Sequence, residues 1–293
     1  MAGIQLVGSM LASAHPRPCG LCGDVRRLSR AHVPPQVAGN AASVLRAPDV
    51  IDGGVRRAGR WSQGGMWVRG LCRDCNSLAG IAYDRAYADF AGQVARLTSP
   101  LARRLAVIPG EPPGVRFAPG LVARCVLFGM FAINPRLRIL FPDLAADLRK
   151  ETPAGAGPVR WPDQLLLRVG RSHPSLPREG VLSSGVWSMR VLTERVVHFS
   201  FGDIVFAPLV WSLVPAHSGS ERDGLGPQIT KRLGDASGWV HYGPDRTSVD
   251  LRSLTRTFPS MAHPLHVKMD DWVELLTRDG SDADAVMVFG RLP

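Results

Sequence analysis

Four of the chain's five cysteines stand in two C-x-x-C pairs, Cys19 with Cys22 and Cys72 with Cys75, separated by 49 residues (23–71). Two thiolates three positions apart on a tight turn bind one tetrahedral ion, and a second such turn completes a shell of four sulfur atoms. The types and the spacing of these residues therefore predict a structural zinc site. A disulfide framework is the competing interpretation, which the odd cysteine and the length of the chain disfavour.

Other sequence patterns that would indicate chemistry are absent. The chain has no G-x-S-x-G nucleophile turn, no Walker loop and no G-x-G-x-x-G dinucleotide loop. The fifth cysteine, Cys125, lies in an apolar run and is predicted to be a core thiol rather than a ligand. The two cysteine pairs are therefore the main pointer to function.

The composition is that of a globular protein outside the membrane. An apolar fraction of 45% supports a hydrophobic core, and no run of about 18 apolar residues would span a bilayer. The opening MAGIQLVGSMLASA resembles a signal peptide only weakly, because it lacks a basic start. Zinc thiolates must remain reduced, so we predict a cytoplasmic protein whose residues 1–16 are a flexible extension.

Positive charge is concentrated in the same third of the chain as the cysteines. Residues 1–104 hold fourteen arginines against six acidic residues, a net charge of +8, whereas residues 105–293 carry a net charge of only +2. A concentrated positive field favours a polyanionic partner such as nucleic acid. A genomic preference for arginine over lysine is an alternative source of the arginines, but it does not explain why acids are scarce only there.

The first third of the chain predicts a strand–strand–helix order. The predicted elements are a strand over 25–33, a strand over 66–71 and a helix from Asp74 onward. Residues 36–65 are expected to be irregular, because they hold turn pairs such as Gly39-Asn40. A cysteine knuckle followed by these elements is typical of a treble-clef, ββα arrangement.

The rest of the chain predicts a second, larger domain. The predicted division is a flexible extension over 1–16, a zinc-binding domain over 17–99, a proline-rich linker over 100–114 and an α+β domain over 115–293. In the last of these, the apolar run 120–134 predicts a buried helix, and alternating apolar residues over 181–214 predict antiparallel strands. The predicted fold class is therefore α+β, with an N-terminal zinc-stapled ββα domain followed by a domain that holds an antiparallel sheet.

The residues around the cysteines resemble the HNH endonuclease superfamily in its zinc-stapled form. The resemblance lies in Cys19-x-x-Cys22, in Ser29-Arg30-Ala31-His32-Val33-Pro34-Pro35, and in Leu71-Cys72-x-x-Cys75-Asn76 with Gly80. It covers residues 17–97 and implies a nucleic-acid partner, above all DNA. The remainder of the chain resembles only bacterial proteins that carry this finger at their N-terminus, and that likeness implies no mechanism.

The resemblance implies a role for each residue of the motif. His32 would be the general base that activates water, Asn76 would bind a catalytic Mg²⁺ or Mn²⁺, and the four cysteines would hold a separate structural zinc. Two positions depart from the family, because Ala31 replaces the usual metal-binding acid and Trp67 replaces an asparagine that orients the loop bearing the base. Another carboxylate would have to take the place of that acid. The candidates are Asp24, Asp49, Asp52 and Asp84.

Two functions follow from these residues, and a third possibility is that the second domain senses a ligand or a protein while the zinc finger is only a scaffold. The first is an HNH-type endonuclease that hydrolyses phosphodiesters with His32 as the base. The second is a catalytically silent zinc module that binds nucleic acid or a protein partner, in which His32 only completes the finger and Asn76 caps the helix. Arg30, Arg69 and Arg73 are the predicted phosphate contacts, with solvated surface arginines as the alternative.

Overall fold

Helices and antiparallel strands follow one another in separate runs along the chain, which makes the fold α+β. The structure, a computed structural model, describes residues 16–42, 44–46, 49–51, 54–57, 60–62, 64–98, 115–150, 158–171, 179–191, 194–216, 234–243, 247–249 and 285–291. The helices are α1 (Arg73–Ala82), α2 (Asp84–Thr98), α3 (Pro119–Ile133), α4 (Leu137–Leu140) and α5 (Pro142–Leu148). Two 3₁₀ turns cover Gln36–Ala38 and Ser237–His241.

The strands are short near the cysteines and longer toward the C-terminus. In chain order they are β1 (Arg17–Pro18), β2 (Val25–Arg26), β3 (Leu28–His32), β4 (Val44–Arg46), β5 (Asp49–Ile51), β6 (Gly54–Arg57), β7 (Arg60–Ser62), β8 (Trp67–Cys72), β9 (Val115–Phe117), β10 (Leu165–Arg171), β11 (Glu179–Val191), β12 (Glu194–Phe206), β13 (Leu209–Pro215), β14 (Gly234–Asp235), β15 (Thr247–Val249) and β16 (Ala285–Arg291).

A two-stranded ribbon and a helix form the unit that carries the cysteines. Strands β3 and β8 pair antiparallel, with Leu28 opposite Cys72 and His32 opposite Trp67. Strand β8 runs directly into α1, so the second cysteine pair lies at the junction between strand and helix. Strand, strand and helix thus follow one another in the predicted order, and His32 ends the first strand.

Helix α3 lies in the centre of the hydrophobic core. Apart from Arg124 it is apolar, and it is almost wholly buried, as expected for a helix packed between two layers. On one side it contacts β8, α1 and α2, and on the other it contacts β11 and β12. Gly20 and Gly70 allow the closest approach, because a Cβ at either position would overlap the carbonyl oxygen of Phe131 or Ala132 in α3.

An eight-stranded antiparallel sheet forms the second layer. Its strand order is β14-β10-β13-β12-β11-β16-β4-β7. Helix α2 reaches this sheet through aromatic contacts, since the ring centroids of Tyr87 and Phe90 each lie 6.4 Å from that of Trp211. The predicted antiparallel sheet is confirmed, and it shares one hydrophobic core with the cysteine-bearing unit.

Two expectations about the first third of the chain are wrong. Residues 36–65 were expected to be irregular, but they include a 3₁₀ turn and four short strands, of which β4 and β7 extend the large sheet at its edge. Strand β4 pairs with β16, more than 200 residues away along the chain, and β7 pairs with β4. Strands of three residues are too short to show an alternating pattern. The single helix expected after Asp74 is broken at Tyr83 into α1 and α2.

The predicted domain limits stay a prediction. Residues 1–15 of the expected extension and all of the expected linker over 100–114 lie outside the described residues. On either side of that linker, residues 17–98 and 115–148 contribute to the same core cluster. None of the helices in the described ranges combines the length and apolarity that are needed to cross a membrane.

Candidate functional site

The first cysteine pair lies on a tight turn between β1 and β2. The N–H of Cys19 donates to the carbonyl oxygen of Asp24 at 3.0 Å, and the N–H of Gly23 donates to that of Cys19 at 2.9 Å. Gly23 has a φ of 82°, a left-handed conformation that glycine adopts without strain. The turn buries Cys19 completely and leaves Cys22 half-buried.

The second cysteine pair lies where β8 becomes α1. Cys72 is the last residue of the strand, Cys75 lies in the first turn of the helix, and both are buried. The N–H of Cys72 donates to Sγ of Cys19 at 3.3 Å. This bond joins the two cysteine turns directly.

The four cysteines converge in a single cluster, as their spacing predicts. Their Sγ atoms all lie within 4.8 Å of one another, and those of Cys22 and Cys72 are 3.8 Å apart. A tetrahedral ion with bonds of about 2.3 Å to sulfur requires sulfur–sulfur separations of about 3.8 Å. The cluster therefore has the spacing and the donor atoms to hold a metal ion.

Burial, hydrogen bonds and charges within the cluster shift the pKa values of three of its thiols. The thiol of Cys75 donates a hydrogen bond that, with backbone N–H groups such as that of Cys72, lowers the pKa of Cys19 to about 4. Burial, together with the charge of Cys19, raises the pKa of Cys22 to about 11, and the bond to Cys19 raises the pKa of Cys75 above its ordinary range. Further thiolates in this cluster need a cation beside them, because like charges at this distance repel.

His32 lies half-buried at the end of β3. Burial lowers the pKa of its imidazole below the ordinary value of 6.5, a hydrogen bond to the backbone of Gly64 partly offsets that effect, and the charge of nearby Arg30 lowers the pKa further. The ring is therefore neutral at pH 7. One of its nitrogens is then free of a proton and can act as a base.

Asn76 bridges the helix and the first strand. Its Nδ2 donates to the carbonyl oxygen of Arg30 at 3.1 Å. The alternative that Asn76 caps α1 is not what the structure shows, because Cys72 occupies the N-cap position and no side-chain hydrogen bond caps the helix. The amide instead holds α1 against the strand that carries His32.

A pocket of about 230 Å³ brings the sequence-predicted residues together. His32, Asn76 and Ala31 all line it, and its apolar walls come from α3 and from β12. The structure thus places the predicted base and the predicted ligand at one cavity. The four cysteines lie outside its lining.

The candidate carboxylates are separated by the fold. Asp84, the first residue of α2, lines the same pocket as His32 and Asn76. Asp24 instead lies near the cysteine turn and forms an ion pair with Arg26 at 3.1 Å. Asp52 and the side chain of Asp49 lie outside the described residues.

Asn40 is a site residue that the sequence pattern did not single out. It is 1% exposed, its Nδ2 donates to the carbonyl oxygens of Pro34 and Met66 at 2.6 and 2.8 Å, and its Oδ1 accepts from the N–H of Met66 at 2.6 Å. These bonds tie the loop after His32 to the start of β8. The feature of the sequence that could have pointed to Asn40 is the rarity of asparagine, since the chain holds three asparagines in 293 residues.

Two of the three predicted phosphate contacts lie together on the ribbon. The guanidinium carbons of Arg30 and Arg69 lie 4.5 and 5.8 Å from the ring centroid of Trp67. Arg30 is exposed, so stacking on the ring holds it in place while its N–H groups still face solvent, whereas Arg69 is half-buried and donates from Nη1 to the carbonyl oxygen of Leu28 at 3.5 Å. Arg73 is exposed at the start of α1.

Comparisons with known proteins found no match for this chain, whether among protein-family models, among curated proteins or among solved structures.

The cluster predicts that the protein binds one metal ion through its four cysteines. After incubation with Zn²⁺ and desalting, the native chain should retain one equivalent, and Cys75→Ser should retain much less, because a serine hydroxyl is not ionised at neutral pH. Elemental analysis by mass spectrometry measures the content. Cys125→Ser is the matched control and should retain one equivalent; a native chain without metal, or equal loss in the control, would contradict the prediction.

The hydrogen bonds of Asn40 predict that it stabilises the loop beside His32. Asn40→Ala leaves the carbonyl oxygen of Pro34 and the N–H of Met66 without a partner, while the carbonyl oxygen of Met66 keeps its bond from Val33, and it should lower the free energy of unfolding by about 2–4 kcal/mol. Asn40→Asp keeps the acceptor but places a buried carboxylate oxygen against two carbonyl oxygens, so it should destabilise the protein at least as much as Asn40→Ala. Val37→Ala, at an exposed side chain in the same turn, should change stability by less than about 0.5 kcal/mol. Urea denaturation measures all four proteins, and an Asn40→Ala protein as stable as the native one refutes the role.

Proposed function

We propose that this protein is a zinc-stapled HNH-type hydrolase that cleaves phosphodiester bonds in nucleic acid, DNA above all. The observation that carries the proposal is the pocket shared by His32 and Asn76. The first residue ends one strand of the ribbon and the second lies on the helix that follows the other strand. This is the arrangement that the resemblance in the sequence implies for a base and a metal ligand.

Zinc is the ion that best suits the four-cysteine cluster. Zinc favours tetrahedral sites, and four thiolates form a closed site of the structural kind, with no position left for water. The sulfur spacing supports a tetrahedral ion. Bound there, zinc would join the turn before β2 to the start of α1 and so hold the ribbon and helix that position His32.

His32 supports a general-base role in hydrolysis. One ring nitrogen is engaged by the backbone of Gly64, so the other can take a proton from water. The oxygen of that water bonds to phosphorus, the bond from phosphorus to the leaving sugar oxygen breaks, and the leaving oxygen takes a proton from solvent. A divalent cation held by Asn76 would supply positive charge for the leaving oxygen.

The surface next to His32 supports nucleic acid as the substrate. Arg30 stacks on Trp67, which lies opposite His32 in the ribbon, and Arg69 lies near the same ring. Arginine N–H groups bind phosphate oxygens in pairs, and an arginine held by an aromatic ring loses less freedom on binding. The net charge of +8 in residues 1–104 would attract a polyanion to this surface.

A catalytically silent binding module is the second candidate, and Ala31 favours it. Its methyl group lines the pocket where the family carries a metal-binding acid. The Arg30–Trp67 stack would serve binding equally well without cleavage. Salt-sensitive DNA binding by native and His32→Ala proteins, with cleavage by neither, would favour this candidate over the hydrolase.

The proposal predicts nicking of DNA that depends on His32. Zinc-loaded protein with Mn²⁺ should convert supercoiled plasmid to the open circle, and His32→Ala should lower the rate by roughly 10²–10⁴-fold, the usual contribution of a general base. Gel electrophoresis over time measures the rate. His241→Ala, at an exposed histidine outside the pocket lining, should cleave like the native protein. Equal nicking by native and His32→Ala proteins, or none by either, refutes the hydrolase.

The lowered pKa of His32 predicts the pH dependence of that nicking. The base works in its neutral form, so the rate should fall as pH drops through a pKa below 6.5 and should not fall between pH 8 and 7. Rates measured from pH 5 to 8 at constant ionic strength give the profile. A nicking rate that falls on acidification with a midpoint well above pH 6.5 would contradict the assignment of His32 as the base.

A further inference from the structure

The pocket lacks an acid on the strand that bears His32. Ala31 lines the cavity with a methyl group, and an amide oxygen from Asn76 alone is a weak site for a hard divalent cation, which prefers carboxylate ligands. A cation in this cavity therefore needs a carboxylate from another element.

Asp84 reaches the cavity from α2. The break at Tyr83 ends α1 and begins a new helix, whose first residue is Asp84. Its Oδ2 lies over Gly80, 3.7 Å from the place that a Cβ would occupy there. Asn76 and Gly80 are four residues apart in α1, so they share one helix face about 6 Å apart. The carboxylate and the amide are thus about one helical turn from each other.

The surroundings of Asp84 leave its negative charge poorly compensated. Burial raises the pKa of its carboxyl group, and the bond it receives comes from the thiol of Cys125, with Sγ 3.7 Å from Oδ1. Burial also raises the pKa of Cys125, so this partner stays a neutral and weak donor. Within the described part of the chain, no arginine or lysine forms an ion pair with Asp84.

The geometry points to Asp84 as the residue that replaces the missing acid and, together with Asn76, binds a divalent cation in the pocket facing His32. This assignment rests on the proposed function for its chemistry, but it concerns cation binding and not cleavage. The cation would keep several of its own waters, as Mg²⁺ and Mn²⁺ do when a protein supplies only one or two ligands. One of those waters would lie within the cavity that His32 lines.

Binding of Mn²⁺ tests this assignment without a measurement of activity. The full chain is first saturated with Zn²⁺, which thiolates prefer to Mn²⁺, and is then titrated with Mn²⁺ while electron paramagnetic resonance reports the free ion. Native protein should bind one Mn²⁺, and Asp84→Asn should bind it on the order of tenfold or more weakly, since loss even of an outer partner of a ligand costs that much. Asp89→Asn, at an exposed acid on the same helix, should bind like the native protein.

The outcomes separate this assignment from the proposed function. Mn²⁺ binding that is lost in Asp84→Asn, with no cleavage by the native protein, supports the cation site and refutes the hydrolase. Native cleavage with unchanged Mn²⁺ affinity in Asp84→Asn refutes the assignment and leaves the hydrolase intact. The absence of Mn²⁺ binding by native protein also refutes the assignment. An unchanged zinc content and circular dichroism spectrum show that Asp84→Asn is folded.

Discussion

Four sulfur atoms within 4.8 Å of one another are the constraint on which the positions of the other site residues depend. Cys22 and Cys75 resist ionisation in such a cluster, because burial and the charge of Cys19 raise the pKa of Cys22, and the bond to Cys19 raises the pKa of Cys75. A bound cation would remove that limit and close a loop of about fifty residues, which reduces the entropy of the unfolded chain. In the ribbon Leu28 lies opposite Cys72, and a register shift between Ser29 and Ala31 precedes the pair that His32 forms with Trp67.

The cysteine-bearing unit depends on the rest of the chain for its interior. Helix α3 is almost wholly buried, and it lies against Gly20 in the first cysteine turn and against Gly70 in the ribbon, at distances that a larger residue would prevent. The pocket beside His32 is bounded by α3 and β12 as well as by the ribbon and α1. Access to the candidate base is therefore shaped by residues that lie more than 90 positions later in the sequence, and a change in α3 would alter the site without touching the motif.

Asn40 and Asp84, which lie outside the sequence motif, approach the surroundings of His32 from other parts of the chain. Trp67 stands where the resemblance in the sequence implies an asparagine, and Asn40 bonds to the backbone of Pro34 and Met66. Ala31 lacks an acid, yet Asp84 faces the same cavity from a different helix. Side chains from separate elements can fill one position in space, because chemistry depends on where an atom lies and not on which residue carries it.

The sequence by itself determined the elements whose signal is local. The C-x-x-C spacing predicted the thiol cluster, the apolar run predicted the helix that became α3, and alternation predicted antiparallel strands. The break at Tyr83, the strands within 36–65, the bonds of Asn40 and the entry of Asp84 into the pocket were decided only by the tertiary structure. Each depends on partners far away in sequence: β4 pairs with a strand near the C-terminus, and Asn40 meets Met66 across 26 residues. Spacing along a chain predicts which residues can share a turn, but the packing of α3 between ribbon and sheet decides which of them share a cavity.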